Sequence, residues 1–334
     1  MIKPLILVTA PVQTRSGYGN HARDICRALI ESDKYEVAIQ SVPWGSTPLN
    51  ALDPNDPSHK EIEKRLLRQP QLPKQPEVHL HIVIPNEFQQ FGQKNIGITA
   101  GIESTVPPAE WIDGCNRMDK VIFTSEFSKK GFTDIKFDKL DKNTKQKVGE
   151  VRLERPSEVL FEGADTNVYK ETNQFSDRMK NEFSKINEDF CFLFVGHWLS
   201  GNLGEDRKDV GMMLKVFYEV FKNKKNPPAL IMKTSSAGFS VMDRVDILKK
   251  IRMIRQDINA NTLPNVYLLH GDLTDKEMNE MYNHPKVKAH LSFTHGEGFG
   301  RPLLEASFSG KPIIAPISTG QADFLDADLS LIHI

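Results

Sequence analysis

Cysteine is scarce in this sequence: Cys26, Cys115 and Cys191 are the only three, widely spaced and without a C-x-x-C pair. They can build neither a disulfide framework nor a thiolate zinc site, which fits a reducing, cytoplasmic setting. Charge of one sign is not in excess either. The 43 Lys+Arg stand against 44 Asp+Glu, a formal net charge of -1, so no global field draws the chain to nucleic acid or to an anionic membrane. Long apolar runs are missing too. Stretches such as 5–8 and 191–195 fall far short of the roughly 20 residues that cross a bilayer, and no integral membrane segment is expected. The N-terminal apolar stretch runs into Gln13, Thr14 and Arg15 with no basic leader and no small-residue cleavage site. It reads as a first strand rather than as a secretion signal.

What is there is enough for two ordinary cores: 334 residues, 39% of them hydrophobic, against a usual domain of about 150 residues. Short β-rich runs at 5–9, 35–41, 78–84, 96–100 and 120–124 alternate with longer polar or helix-periodic stretches. The rhythm repeats at 190–195, 229–233, 265–270, 289–293 and 312–315. This is the pattern of parallel βα units, an α/β fold. From 209 to 221, Val210, Met213, Leu214, Phe217, Val220 and Phe221 fall on one helical stripe, with Asp209 placed to cap it. The stretch 157–169 reads as a last strand and a Gly-containing turn, and 170–176 is polar enough for a linker. The expected domains are therefore 1–170 and 171–334. Residues 68–77, with three prolines, and 134–147, dominated by lysine and aspartate, read as surface loops. Two open parallel sheets in tandem leave a cleft, with ligands at the carboxyl ends of their strands.

The most informative stretch follows the strand at 289–293. In THGEGFGRPLLEASFSGKP, residues 294–312, Glu297 and Glu305 are separated by seven residues. Pro302 suits a first helical turn and Gly310 a helix end, so a short helix is expected at 302–309 with Glu305 in its first turn. Gly296, Gly298 and Gly300 strip side chains from the preceding loop, so that backbone N–H groups can approach a phosphate. The two carboxylates, one on the loop and one on the helix, suit paired sugar hydroxyls, to which each charged hydrogen bond contributes about 1.5–3 kcal/mol.

This stretch resembles the Glu-x7-Glu motif of retaining GT-B glycosyltransferases, family 4 in particular, and the continuation PIIAPISTGQADFL resembles that family's next strand and turn. The resemblance implies a GT-B fold, two Rossmann-like parallel-sheet domains facing across a cleft, with residues 1–170 on the acceptor side and 171–334 binding the nucleotide sugar. It implies that Glu297 contacts the donor sugar and Glu305 the ribose hydroxyls, with Gly298, Phe299 and Gly300 beside the sugar and diphosphate. The family's basic pair falls in GHWLSGNLGEDRKDVG, 196–211. Lys208 matches the lysine, Arg207 lies beside it, and His197 stands where arginine is usual. A cation here neutralises charge on the departing diphosphate; His197 does so only when protonated, which leaves Arg207 to substitute. Lys233 ends a strand at an address suited to the nucleotide, and the backbone at Gly271–Leu273 would edge the base.

In the first half, Gly17, Gly19 and Ala22 formally satisfy G-x-G-x-x-A. However, Gln40 and Ser41 stand where a dinucleotide fold needs an acidic residue, so NAD is set aside. In family 4 a glycine-rich loop here faces the cleft and helps receive the donor or acceptor, which makes Gly17 and Gly19 lining residues on the donor-binding side. The stretch 98–132 resembles a subset of these enzymes, with Glu103 as the acceptor-side carboxylate. His79 and His81 share a strand face without a third ligand at recognisable spacing, and the only D-x-D, at 326–328, reads as a solvated turn, so neither a metal nor another cofactor is expected. The implied activity is a hexosyl-type transfer from a UDP or GDP sugar, with retention, to a glycan, lipid or protein acceptor. The chain stops soon after the last matched strand and resembles a C-terminally truncated member. A non-catalytic nucleotide-sugar or glycan-binding module is therefore the alternative.

Overall fold

The computed structural model describes residues 3–69, 71–103, 106–141, 143–199, 201, 203–236 and 240–325. The chain divides into two compact units, Met1–Gly163 and Ala164–Ile334. That division lies upstream of residue 170, where composition had put it, for a packing reason. Val168 and Tyr169 belong with Met179, Phe183, Met281 and Tyr282 in the second unit's core, and Lys170 N–H donates to Asn279 Oδ1 at 3.1 Å.

The first unit runs β1 (Leu5–Ala10), α1 (Gly17–Glu31), β2 (Glu36–Ser41), α2 (Pro57–Glu63), β3 (Val78–Ile82), β4 (Lys94–Thr99), α3 (Ala109–Asn116), β5 (Lys120–Phe123), α4 (Glu126–Thr133), β6 (Lys136–Leu140), β7 (Lys147–Arg152) and β8 (Ser157–Val159). Its six-stranded sheet has the order β2-β1-β3-β4-β5-β8, with every pairing parallel. All six residues of β1 are buried, as expected of a strand covered on both faces. Ile6, Val8 and Ala10 meet Ala22 and Cys26 of α1 on one side, and Leu5 and Leu7 meet Ala38 on the other.

α1 starts four residues before the His21 start expected, because Ser16 accepts the Gly19 N–H at 3.0 Å and so caps it. Gly19 must be glycine there, since a Cβ would stand 2.2 Å from the Thr14 carbonyl oxygen. The lysine- and aspartate-rich stretch 134–147 is not a loop. It supplies β6 and the turn into β7, an antiparallel hairpin in which Phe137 pairs with Val151. Both pack on the cluster of Ile112, Val121 and Phe123. Lys147 meets Asp138 at 2.6 Å and Glu150 at 2.9 Å on the hairpin's exposed side, so its charges decorate a strand pair rather than prevent it.

The second unit runs α5 (Asp177–Ser184), β9 (Cys191–Val195), α6 (Val210–Phe221), β10 (Ala229–Lys233), α7 (Val241–Gln256), β11 (Val266–Leu269), α8 (Asp275–Asn283), β12 (Val287–Leu291), α9 (Arg301–Ser307) and β13 (Ile313–Ile314). Its parallel sheet is ordered β11-β10-β9-β12-β13. β12 begins two residues earlier than expected, with a register shift between Val287 and Ala289 against β9, and Phe293 falls in the loop beyond it. From β9 the chain moves to β10 on one side, while β12 lies on the other. The loops leaving β9 and β12 therefore part at their carboxyl ends, the crevice where open α/β sheets bind ligands.

Candidate functional site

The two loops at this switch point are tied together. His295 N–H donates to the Arg207 carbonyl at 2.8 Å, and Thr294 Oγ1 lies 3.2 Å from the same oxygen and 3.0 Å from that of Gly296. Arg207 and Lys208 thus arrive beside Glu297. Its carboxylate accepts from Lys208 Nζ and, at 3.2 Å, from Arg207 Nη1, which also donates to the Gly296 carbonyl at 2.7 Å. Glu297 is 7% exposed and Lys208 9%. Burial alone would push the Glu297 carboxyl up, but Lys208 and Arg207 outweigh it and hold the pKa below its ordinary value. A buried carboxylate kept ionised by two cations is the main electrostatic feature of the site.

Asp209 follows with a left-handed backbone, φ 48° and ψ 37°. It occupies the N-cap position of α6, yet its side chain makes no cap hydrogen bond, contrary to the expectation from sequence. Its Oδ2 lies 3.5 Å from His295 Nε2 instead, and burial pushes its carboxyl up, partly offset by that imidazole.

Glu305 lies on α9, which is seven residues long and entered from Gly300 at φ 95°. Its Oε1 accepts from Arg301 Nε at 2.9 Å and its Oε2 from Tyr282 Oη at 3.1 Å. The buried Tyr169 also hydrogen-bonds this carboxylate, so its surroundings are one guanidinium and two phenols. Burial pushes this carboxyl above its ordinary pKa although Arg301 opposes the rise.

The loop 297–300 is held along its length by the turn after β13. Glu297 N–H donates to Thr319 Oγ1 at 3.0 Å, Gly320 N–H donates to the Glu297 carbonyl at 2.9 Å, and Phe299 packs on Phe324 with ring centroids 5.0 Å apart. Gly298 lies against Gly320: a Cβ on Gly320 would stand 2.2 Å from the Gly298 oxygen.

His197 follows β9, with Nδ1 3.2 Å from Ser235 Oγ. Burial, then the charges of Lys208 and Lys233, hold its pKa below 6.5. It is therefore mostly neutral at pH 7, unlike the cations Lys208 and Arg207 beside Glu297. Lys233 ends β10 and is 9% exposed. Leu273 packs against the core around Tyr282.

Gly17, Gly19 and Glu103 belong to the first unit. Gly17 and Gly19 open α1, and a Cβ on Gly17 would meet nothing within 4 Å. Glu103 follows Gly101 (φ 67°) in the loop after β4. Nearby, Tyr18 Oη lies 2.8 Å from Thr99 Oγ1 and accepts the Ala100 N–H at 3.0 Å, while its ring stacks on Trp44 at 4.2 Å. Burial raises the Tyr18 pKa, and the charge of Glu103 adds to the rise.

His79 and His81 are buried, His79 Nε2 lying 2.9 Å from Thr9 Oγ1, and burial lowers their pKa values to about 4 and about 3. Among the described residues no group of three or more His, Cys, Asp or Glu is placed to hold a metal ion, and no helix is long and apolar enough to cross a membrane. The D-x-D at 326–328 lies outside the described residues. Sequence reasoning missed Tyr282 and Thr319, whose contacts with the two glutamates come from other elements; Thr319 carried one local signal, its place beside a glycine after a strand.

No family model matches the chain, and no curated protein matches it. Solved structures do. HepE of Anabaena in complex with UDP-glucose aligns over 97% of this chain and 83% of its own, with a TM-score of 0.63 and 15% identity. Sucrose-phosphate synthase from Thermosynechococcus elongatus aligns over 97% and 84%, with a TM-score of 0.61 and 13% identity. The fold is GT-B. An E. coli structure described as trehalose-6-phosphate bound with UDP-2-fluoro glucose is similar as well, at a TM-score of 0.55 and 12% identity over 96% and 86%. At these identities the likeness is one of fold, and within that fold this chain's buried charge lies at the switch point of the second sheet.

Proposed function

We propose that the protein is a retaining, metal-independent glycosyltransferase of the family 4 type, moving a hexosyl group from a nucleotide diphosphate sugar to an acceptor hydroxyl. One observation carries this reading: Glu297, buried and ionised, is paired with Lys208 and Arg207 at the crevice between β9 and β12. The bond from the anomeric carbon to the diphosphate oxygen breaks, and its electron pair leaves with the diphosphate. Lys208 and Arg207 are shared between Glu297 and that growing negative charge, the kind of preorganised stabilisation that contributes most to transfer. The acceptor oxygen bonds to the anomeric carbon from the face the diphosphate leaves, and its proton passes to the departing phosphate oxygen. No protein nucleophile is required.

Glu297 aligns the donor sugar, and Glu305 takes the ribose hydroxyls. Neutral His197 contributes a hydrogen bond rather than a charge. Lys233, Gly298, Phe299, Gly300 and the backbone at Leu273 line the donor, Gly17 and Gly19 help to receive it, and Glu103 serves the acceptor side. HepE in complex with UDP-glucose supports a UDP sugar as the first donor to try. The test is a saturation-transfer NMR screen of UDP, GDP and ADP sugars without metal, followed in the same tubes for nucleotide release. Binding with slow release, lost in Glu297→Ala and Lys208→Ala, is expected. Binding without release across an acceptor panel would mark a binding module instead, and absence of binding to every nucleotide sugar would sink the proposal.

A further inference from the structure

We infer that Thr319 is a positioning residue for the transfer, fixing the peptide of Glu297; the inference rests on the glycosyltransferase reading above. Thr319 has φ 66° and ψ -157°, a combination left almost entirely to glycine and least comfortable for a β-branched residue. Such a conformation persists only where the surroundings over-determine it, and here they do. Thr319 Oγ1 accepts the Glu297 N–H at 3.0 Å and donates to Gln321 Oε1 at 2.8 Å. Gln321 is fully buried, and its Nε2 donates to the Pro316 carbonyl at 3.0 Å.

The backbone completes the clamp. Gly320 N–H donates to the Glu297 carbonyl at 2.9 Å, and Gly320 has room for no side chain against Gly298. Both main-chain polar groups of Glu297 are therefore held by residues 319 and 320. The direction in which its Cα–Cβ bond leaves the loop, and so the meeting of its carboxylate with Lys208, follows from that turn. A glycine at 319 would sit in this backbone without strain but could not accept the Glu297 N–H. The hydroxyl is the part of Thr319 that the turn uses and that glycine cannot supply.

Strain and positioning make opposite demands at this residue, which separates the inference from a merely structural role. The experiment compares Thr319→Gly, Thr319→Ser and Thr319→Val in the full chain. It reads the Glu297 amide exchange rate by NMR, the thermal midpoint, and kcat and KM for the sugar nucleotide identified in the donor screen. Thr319→Gly is expected to keep or raise the midpoint, to speed Glu297 amide exchange about tenfold, and to lower kcat about tenfold with donor KM little changed, the scale of one lost hydrogen bond. Thr319→Ser is expected to restore both exchange and kcat. Thr319→Val, strained and without the hydroxyl, loses midpoint and kcat together. Wild-type kcat in Thr319→Gly, or a Thr319→Ser that behaves like Thr319→Gly, overturns the inference. If the wild type turns over no sugar nucleotide, the transferase reading falls, and the exchange rates alone decide the positioning. In that case unchanged exchange in Thr319→Gly overturns it, and faster exchange rescued by Thr319→Ser upholds it.

Discussion

Glu297 and Glu305 are the same residue type, eight positions apart and almost equally buried, yet their surroundings drive them in opposite directions. Glu297 meets a cation on each oxygen and is held below its ordinary pKa. Glu305 meets one guanidinium and two phenols, those of Tyr282 and Tyr169, and burial pushes it up. The spacing of the pair in sequence decides where two carboxylates stand. Their charge is decided by surroundings built from elsewhere: Lys208 and Arg207, from the segment before α6, hold Glu297 down, whereas at Glu305 burial outweighs the lowering by Arg301 and Tyr282. Environments that push two carboxyls apart are how one fold assigns them different roles.

Removing one cation from each is the strongest way to break this contrast. Lys208→Met leaves an ionised, buried Glu297 with only the partly exposed Arg207, and breaking a buried pair in this way is expected to cost about 3–5 kcal/mol. Arg301→Met should cost less, roughly 1–3 kcal/mol, because Glu305 already tends towards its neutral form and can take up a proton while keeping Tyr282 as a partner. Urea unfolding of both variants at pH 7 measures the difference. Equal losses, or a larger one for Arg301→Met, would abolish the distinction.

The pH dependence of stability sharpens it with a smaller effect, and the two glutamates contribute with opposite sign. The folded pKa of Glu297 lies below 4.5, so its contribution is fully present above pH 4.5 and is lost as the pH falls through the folded value. The folded pKa of Glu305 lies above 4.5, so its contribution is fully present below pH 4.5 and is lost as the pH rises through the folded value. Relative to wild type, Glu297→Gln should therefore lose least stability in acid, and Glu305→Gln should lose least near neutrality. Chemical denaturation of the three proteins between pH 3 and 7, read as differences so that other carboxylates cancel, checks both signs. Parallel difference curves would refute the assignment.

Much of this arrangement was legible in the sequence. The strands that carry the site are apolar runs that alternate with amphipathic stretches, so Glu297 and Lys233 could be placed at carboxyl ends from pattern, whereas Lys208 was placed by the resemblance of 196–211 to the family's basic segment. The helix at α9 was marked by Pro302 and Gly310. What escaped depends on contacts between distant residues. The hairpin of β6 and β7 was hidden because lysine and aspartate outnumber Phe137 and Val151, whose pairing buries one face. Asp209 and Thr319 adopt positive φ without being glycine, which no local rule announces. The compact units part at 163/164, upstream of residue 170, because Val168 and Tyr169, which precede the polar run, join the second core. That the His197 pKa is lowered further required knowing its burial and then the charges of Lys208 and Lys233.

The smallest expected effect on stability belongs to Arg207→Gln, and it divides the two cations of Glu297 from each other. The Arg207 side chain is 31% exposed against 11% for Lys208, and one of its hydrogen bonds goes to the Gly296 carbonyl rather than to Glu297. With Lys208 still in place, Glu297 keeps its closer partner, so the substitution should cost less than about 1 kcal/mol, as exposed pairs usually do. Turnover should nevertheless fall about tenfold, because a cation that stabilises the folded protein little is free to meet charge that develops on the donor. Unfolding curves and donor turnover on the same variant make the check. A loss of stability as large as that of Lys208→Met would mean that both cations are committed to Glu297, and that neither is held in reserve for a diphosphate.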